Sequence, residues 1–197
     1  HQSITSDSLQ NITVIFDMGI LPFTIGLTVN DSSYNWNSGY FTYQQYVTMV
    51  FNPERANLSF SDGQWVEVSI DSIYATNNNT LQNPQSWSFM VDLSQPFVWN
   101  PQPADGTEVF DTLSDISIQI AGSTGYIEQD SIQLTVQGIS YSISDDALTW
   151  NTADSTLTFS PLTAGITFPD GDSINVFLTA YDHIDYSAPH QLLYEWF

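Results

Sequence analysis

The chain has 197 residues, with 22 Asp and Glu against one cationic side chain, Arg55, and a formal net charge of −21. That balance excludes nucleic acid as a partner, because phosphate backbones are bound by Lys and Arg that displace counterions, and it excludes anionic membrane surfaces for the same reason. Cysteine is absent, so there is neither a disulfide framework nor a thiolate metal site, and no apolar run is long enough for membrane insertion as a helix.

Apolar residues make up 42% of the chain and aromatics 14%, which is ample for packed cores and argues against disorder. The length fits one large domain or two modules of about a hundred residues each. The folded surface scales to roughly 9,000 Å², which spaces net charges about 20 Å apart, about twice the Debye length, so average repulsion is tolerable. Local pairs such as Asp145 with Asp146 gain from a cation, from salt or from low pH. With one cation available, stability has to come from apolar burial and backbone hydrogen bonds. Trypsin-like proteases also find almost nothing to cut, which suits an extracellular or cell-surface location. A lineage-wide acidic bias explains the composition equally well.

In chain order, "NITVIFDMGILPFTIGLTVN", from Asn11, predicts an alternating strand, a glycine-containing break and a second strand ending Leu27-Thr28-Val29. Next comes "SSYNWNSGYFTYQQY", in which Tyr34, Trp36 and Tyr40 form a candidate platform for stacking on sugars. The competing reading is core or edge packing. "VTMVFNP" predicts a strand stopped by Pro53, and "LSFSDGQWVEVSIDSIY" turns at Asp62-Gly63 before alternating Val66, Val68 and Ile70 with Glu67, Ser69 and Asp71. That alternation describes a strand with one buried face. "NPQSWSFMVD" closes the set. In "VDLSQPFVWNPQPADGTEV", Pro96, Pro101 and Pro103 predict a short stiff joint running into an edge strand.

After this joint the pattern returns, offset by about 104 to 108 residues. "DISIQIAGSTGYIEQDSIQLTVQG" repeats the first strand pair and again ends in Leu134-Thr135-Val136. Trp150 answers Tyr43, Pro161 answers Pro53, and Pro189 answers Pro84. "FPDGDSINVFLTAYD" answers the Asp62-Gly63 stretch with Asp170-Gly171 and alternates Ile174, Val176, Leu178 and Ala180 on its apolar side. Strand-like runs every eight to twelve residues, bounded by Gly, Pro, Asn and Asp, are the signal for a sandwich. The expected fold is all-β: two tandem immunoglobulin-like antiparallel β-sandwiches, residues 1–95 and 96–197. The first module has no counterpart to the lead-in strand of the second, and both ends read as cuts in a longer array.

"PQPADGTEV", the Leu-Thr-Val strand pair, "TLTFSP", "FPDGDSINVFLTAYD" and the closing aromatic strand resemble tandem bacterial Ig-like modules of S-layer and large adhesin-type surface proteins. The resemblance covers the whole chain but rests on turn and strand grammar. It implies spacers and stalks whose partners are neighbouring modules or subunits, and no shared catalytic residues. The bare leading edge also invites a strand from a neighbouring subunit, as in a strand-exchanged filament.

Candidate chemistry is sparse. No nucleophile elbow, phosphate loop or Ser-His-Asp order is present, so no enzyme is expected. His1, with His183 or His190, is a conceivable copper brace; the expectation is a chain boundary instead. Asp170 and Asp172 around Gly171, Asp182 and Asp185 around His183, and Asp92 and Asp105 near the joint are candidate calcium ligands. No cofactor is expected to be required. The other reading of Asp170-Gly171 is a tight turn. It is favoured because the first module keeps Asp62-Gly63 but has Gln64 where the second has Asp172. Sequons at Asn11, Asn30, Asn57 and Asn78 are candidate glycosylation sites. Two functions remain open: a structural or adhesive module of an extracellular surface or filament protein, or a carbohydrate-binding module centred on Trp36 that takes surface glycans.

Overall fold

A computed structural model describes residues 3–81, 83–122 and 124–197, and its chain divides into two compact units. Unit 1 holds residues 1–93 together with 184–187, and unit 2 holds 94–183 and 188–197.

Unit 1 contains β1 (Ser3–Thr5), β2 (Ile12–Ile15), β3 (Ile20–Val29), β4 (Ser32–Asn35), β5 (Phe41–Gln44), β6 (Thr48–Phe51), β7 (Trp65–Ala75) and β8 (Gln85–Val91). They form two sheets, ordered β1-β8-β7-β3-β4 and β2-β6-β5. Val66, Val68 and Ile70 of β7, Leu27 and Val29 of β3, and Met49 and Phe51 of β6 close the core between the sheets. Unit 2 contains β9 (Phe97–Gln102), β10 (Ile116–Ala121), β11 (Gln133–Val136), β12 (Ile139–Ser142), β13 (Leu148–Asn151), β14 (Thr156–Phe159), β15 (Val176–Tyr181) and β16 (Gln191–Trp196). Its sheets are ordered β13-β14-β10-β9 and β12-β11-β15-β16.

In immunoglobulin lettering, unit 2 reads D-E-B-A against C′-C-F-G, and unit 1 reads D-E-B against C′-C-F-G. The fold is therefore two tandem antiparallel β-sandwiches of immunoglobulin-like strand order. The repeat seen in the sequence is the shared B-to-G strand list written twice.

Local chemistry explains the matching turns. β3 and β4 are joined by Asn30-Asp31, with φ of 44° and 65°, and β11 and β12 by Gln137-Gly138, with φ of 50° and 80°. Two successive positive φ values make a type I′ turn, whose twist suits a two-residue hairpin. Ahead of the F-strands, Gly63 and Gly171 lie at φ of 72° and 77°, a region that costs other residues about 1–2 kcal/mol. Gly26 has a different role. A Cβ there would stand 2.7 Å from Ser72 Oγ, so glycine lets the long strand β3 approach β7 where their register shifts.

The two units differ at their leading edges. In unit 2, β9 pairs antiparallel with β10. In unit 1 the first described strand, β1, joins the opposite sheet, parallel to β8, with Ser3 facing Phe89 and Thr5 facing Val91. Among the described residues β2 has a neighbour on one side only. The 184–187 segment anchors β1 within unit 1. Asp185 Oδ2 accepts the Ile4 N–H at 2.8 Å, and Ser187 Oγ accepts the Ser6 N–H at 2.6 Å.

Candidate functional site

The turn "FPDGD" that begins the F-strand of unit 2 belongs to the wall of a groove of about 640 Å³. The loop leaving β9, Trp196 of β16 and the following Phe197 line the rest of it. Backbone bonds hold the walls in place. Phe168 N–H donates to Thr112 O at 2.9 Å, and Gly106 N–H donates to Phe197 O at 2.6 Å. Asp170 and Asp172 line the groove with Glu108 and Asp111, beside the exposed Val109 and the almost fully exposed Phe110. The groove is thus a solvent-open acidic trough with apolar residues in its wall.

The other candidate calcium ligands do not gather there. Asp105 accepts the Phe197 N–H through Oδ1 at 3.0 Å and so pins the chain end of β16. Asp185 anchors β1, as described. Asp92 is buried after β8, and its N–H donates to Thr5 O at 2.9 Å. Asp182 is also buried, with a job of its own in unit 2: Oδ1 accepts the His190 N–H and Oδ2 meets His190 Nδ1, both at 2.7 Å. One carboxylate thereby ties residue 182 to residue 190 and closes the loop before β16. The sequence groups Asp182 with Asp185 around His183 and offers His190 only as a partner of His1. The pairing of Asp182 with His190 is not legible there, because it depends on how the nine-residue loop between β15 and β16 closes. His183 points to a separate cluster. Its Nδ1 lies 2.9 Å from Glu128 Oε2, and its ring stacks on Tyr126 at 4.6 Å and 13°. His1 lies outside the described residues.

Asp145 shows what these exposed acids do locally. Its Oδ2 accepts the Ser142 N–H at 2.7 Å and the Ser142 hydroxyl at 2.9 Å. The backbone bond first, and the hydroxyl second, hold its carboxyl below the usual aspartate range. In unit 1, Asp62 Oδ1 accepts the Leu93 N–H at 2.7 Å, so the Asp-Gly turn ties into the segment just after β8.

Tyr34, Trp36 and Tyr40 come together in unit 1, all half-buried against its core. Tyr34 leans on Phe51 at 4.8 Å and meets Tyr40 edge-on at 6.0 Å and 70°. Trp36 opens a short 3-10 turn capped by Asn35, whose Oδ1 accepts the Asn37 N–H at 3.0 Å. Tyr34 and Tyr40 pack edge-on against each other and against Phe51, and Trp36 packs against the core. Tyr43, read as a core residue, also packs there, and its hydroxyl donates to Ile20 O at 3.1 Å. Of the sequon asparagines, Asn11, Asn57 and Asn78 are exposed, whereas Asn30 is half-buried and its Oδ1 accepts the Glu67 N–H at 2.9 Å.

No family model and no curated protein matches the sequence. Among solved structures, fibronectin(III)-like modules of Clostridium thermocellum CbhA are similar at 12% identity and a TM-score of 0.40, over 98% of this chain and 87% of that one. A tri-modular GH5 (subfamily 4) endo-β-1,4-glucanase from Bacillus licheniformis, complexed with cellotetraose, is similar at 11% identity and a TM-score of 0.40. That match covers 98% of this chain and 36% of the glucanase, so the chain spans about a third of its length.

Proposed function

We propose that this chain is a non-catalytic, structural or adhesive pair of modules from a secreted, cell-surface or filament protein. The observation that carries this reading is repetition without a repeated site. Both units rebuild the D-E-B and C′-C-F-G strand orders with their cores and turns, while Asp172, one of the acids that looked chemical, is Gln64 in the first copy. The turn carboxylates serve the backbone. Asp62, Asp105, Asp145, Asp182 and Asp185 each accept a main-chain N–H. Extracellular exposure is supported by composition, since Arg55 is the sole trypsin site and no thiol is present. Repeated modules of this kind supply reach and spacing, and the acidic surface keeps neighbouring chains apart or lets divalent cations bridge them.

The test is a screen of the purified chain against a glycan array, alongside thermal unfolding with EDTA or millimolar calcium. The expected outcome is no glycan retained and an unchanged unfolding midpoint. Retention of a defined glycan that disappears in Trp36→Ala would overturn the structural reading in favour of a carbohydrate-binding module. A midpoint raised by calcium and lowered by EDTA would overturn the assignment of the turn acids to backbone capping alone.

A further inference from the structure

We infer that the free edge of β2 in unit 1 is a self-association site, taking the same edge of a second copy of this chain in an antiparallel, two-fold pairing. The inference deepens the structural reading above and rests on it. Its starting point is the ladder. Ile12 faces Phe51 and Val14 faces Met49 across β2 and β6, and Phe16 N–H continues the register by donating to Val47 O at 2.8 Å. Alternate residues of an antiparallel strand bond the same neighbour. Ile12, Val14 and Phe16 therefore direct their N–H and C=O groups to β6, while Thr13 and Ile15 direct theirs away from it.

This edge lacks the guards of proline and charge, and its short length of four residues is the protection it keeps. Exposed edge strands are normally protected by proline, charge or a bulge. β9 carries Pro101 and β16 carries Glu195, whereas from Gln10 to Phe16 there is neither a proline nor a charge. Ile15 is 74% exposed. Other edge strands, such as β5 and β12, are also uncharged, but β2 differs from them in being β-branched at every position, Ile12 to Ile15. The equivalent edge in unit 2, on β10, is covered by β9.

The occupant follows from self-complementarity. A two-fold axis through Val14 sets Thr13 opposite Ile15 of the second copy and Ile15 opposite its Thr13. The outward N–H and C=O groups then meet in four hydrogen bonds, in the isologous arrangement a symmetric dimer requires. On the core side the same register sets Ile12 opposite Phe16 and Val14 opposite Val14. Asp17 falls opposite Asn11, so no carboxylate meets another. The β9 strand of a second copy is a poorer occupant, because lending it would bare the edge of β10 in exchange. The two three-stranded sheets β2-β6-β5 would merge into one of six strands.

A four-bond edge is small beside a standard protein interface, so the dissociation constant should be weak, on the order of 100 µM to 1 mM. Repeated copies along a surface or filament would raise its effective strength. Sedimentation equilibrium of the purified chain up to about 1 mM tests the inference, from low salt to about 1 M salt, where the Debye length falls to about 3 Å. A monomer–dimer equilibrium is expected, tightening on the order of tenfold with salt. The Thr13 and Ile15 amides should exchange more slowly as concentration rises.

Two variants locate the contact. Thr13→Pro removes an outward N–H that no β6 partner uses, and Ile15→Glu adds charge at an exposed position. Each should keep the native circular dichroism and weaken the dimer at least about tenfold. A chain monomeric throughout, or dimers insensitive to both variants, overturns the inference but leaves the glycan and calcium tests of the structural reading untouched. A monomeric chain whose β2 amides are protected by a peptide of residues 97–103 also overturns it, by assigning the edge to a linker strand.

Discussion

At the scale of single residues, the acidic turns carry the instructive contrast. Asp170-Gly171-Asp172 has the look of an ion site when read alone, yet what both modules preserve is the Asp-Gly pair, with the glycine at φ of 72° in Gly63 and 77° in Gly171. The demand is conformational, because only glycine enters that region without a Cβ penalty. Asp172 is exposed in the groove wall, and the first module does without it, having Gln64. Gly171→Ala is therefore expected to destabilise unit 2 by about 1–2 kcal/mol, and Asp172→Gln by less than about 0.5 kcal/mol. Urea unfolding followed by tryptophan fluorescence measures both. A larger loss for Asp172→Gln than for Gly171→Ala would mean the carboxylate, and not the turn, is what the segment is for. Asp182 makes the opposite point. Nothing in its sequence neighbourhood names His190 as a partner, because the pairing exists only once the loop between β15 and β16 closes.

At the scale of strands, legibility followed burial. β7 and β15 were readable because one face of each is core. Val66, Val68 and Ile70 are at most 3% exposed, as are Val176, Leu178 and Ala180, and that pressure writes a period of two into the sequence. The hairpins after Leu-Thr-Val were not read from the sequence, where the pattern only ends a strand, although Asn30-Asp31 and Gln137-Gly138 are residue types a two-residue loop admits. β1 was not readable. Three residues cannot display a period, and Ser3–Thr5 is held by its parallel bonds to β8 and by the 184–187 segment, which is remote in sequence. The aromatic group around Trp36 was legible as a cluster but ambiguous in role, because packing against Phe51 and stacking on a ligand ask for the same residue types. A core-strand substitution tests the burial argument. Leu178 is fully buried, so Leu178→Ala should cost about 2–5 kcal/mol by loss of transfer energy and by the cavity it leaves. The outward Phe177→Ala on the same strand should cost under about 1 kcal/mol. Similar costs for the two would contradict a sandwich with its core on the Leu178 face.

At the scale of the whole molecule, the decisive quantity is the sign of the electrostatics. In most proteins added salt screens attractions and repulsions together, so its net effect on stability is small and hard to foresee. Here Arg55 is the only side chain that is always cationic, against 22 acids. Long-range interactions between charges are consequently almost all repulsive, and the compact state suffers them more than the unfolded chain does. Screening should thus stabilise both units, with no compensating loss of surface ion pairs. Between about 0.01 M and 0.5 M sodium chloride the Debye length falls from about 30 Å to under 10 Å, shorter than the average spacing of net charges of about 20 Å. A gain of about 1 kcal/mol corresponds to a rise of roughly 4–8 °C in the unfolding midpoint of a module near a hundred residues. Differential scanning calorimetry at low protein concentration, where the proposed edge pairing does not contribute, isolates this effect. A midpoint that is flat or falls with sodium chloride would show that the −21 charge is already neutralised in the folded protein by tightly held cations. That result would reopen the acidic groove of unit 2 as a cation site. A rise that levels off once the Debye length drops below the charge spacing would identify diffuse repulsion as the main electrostatic cost of this fold, and would explain why its cores and turns carry the whole burden of stability.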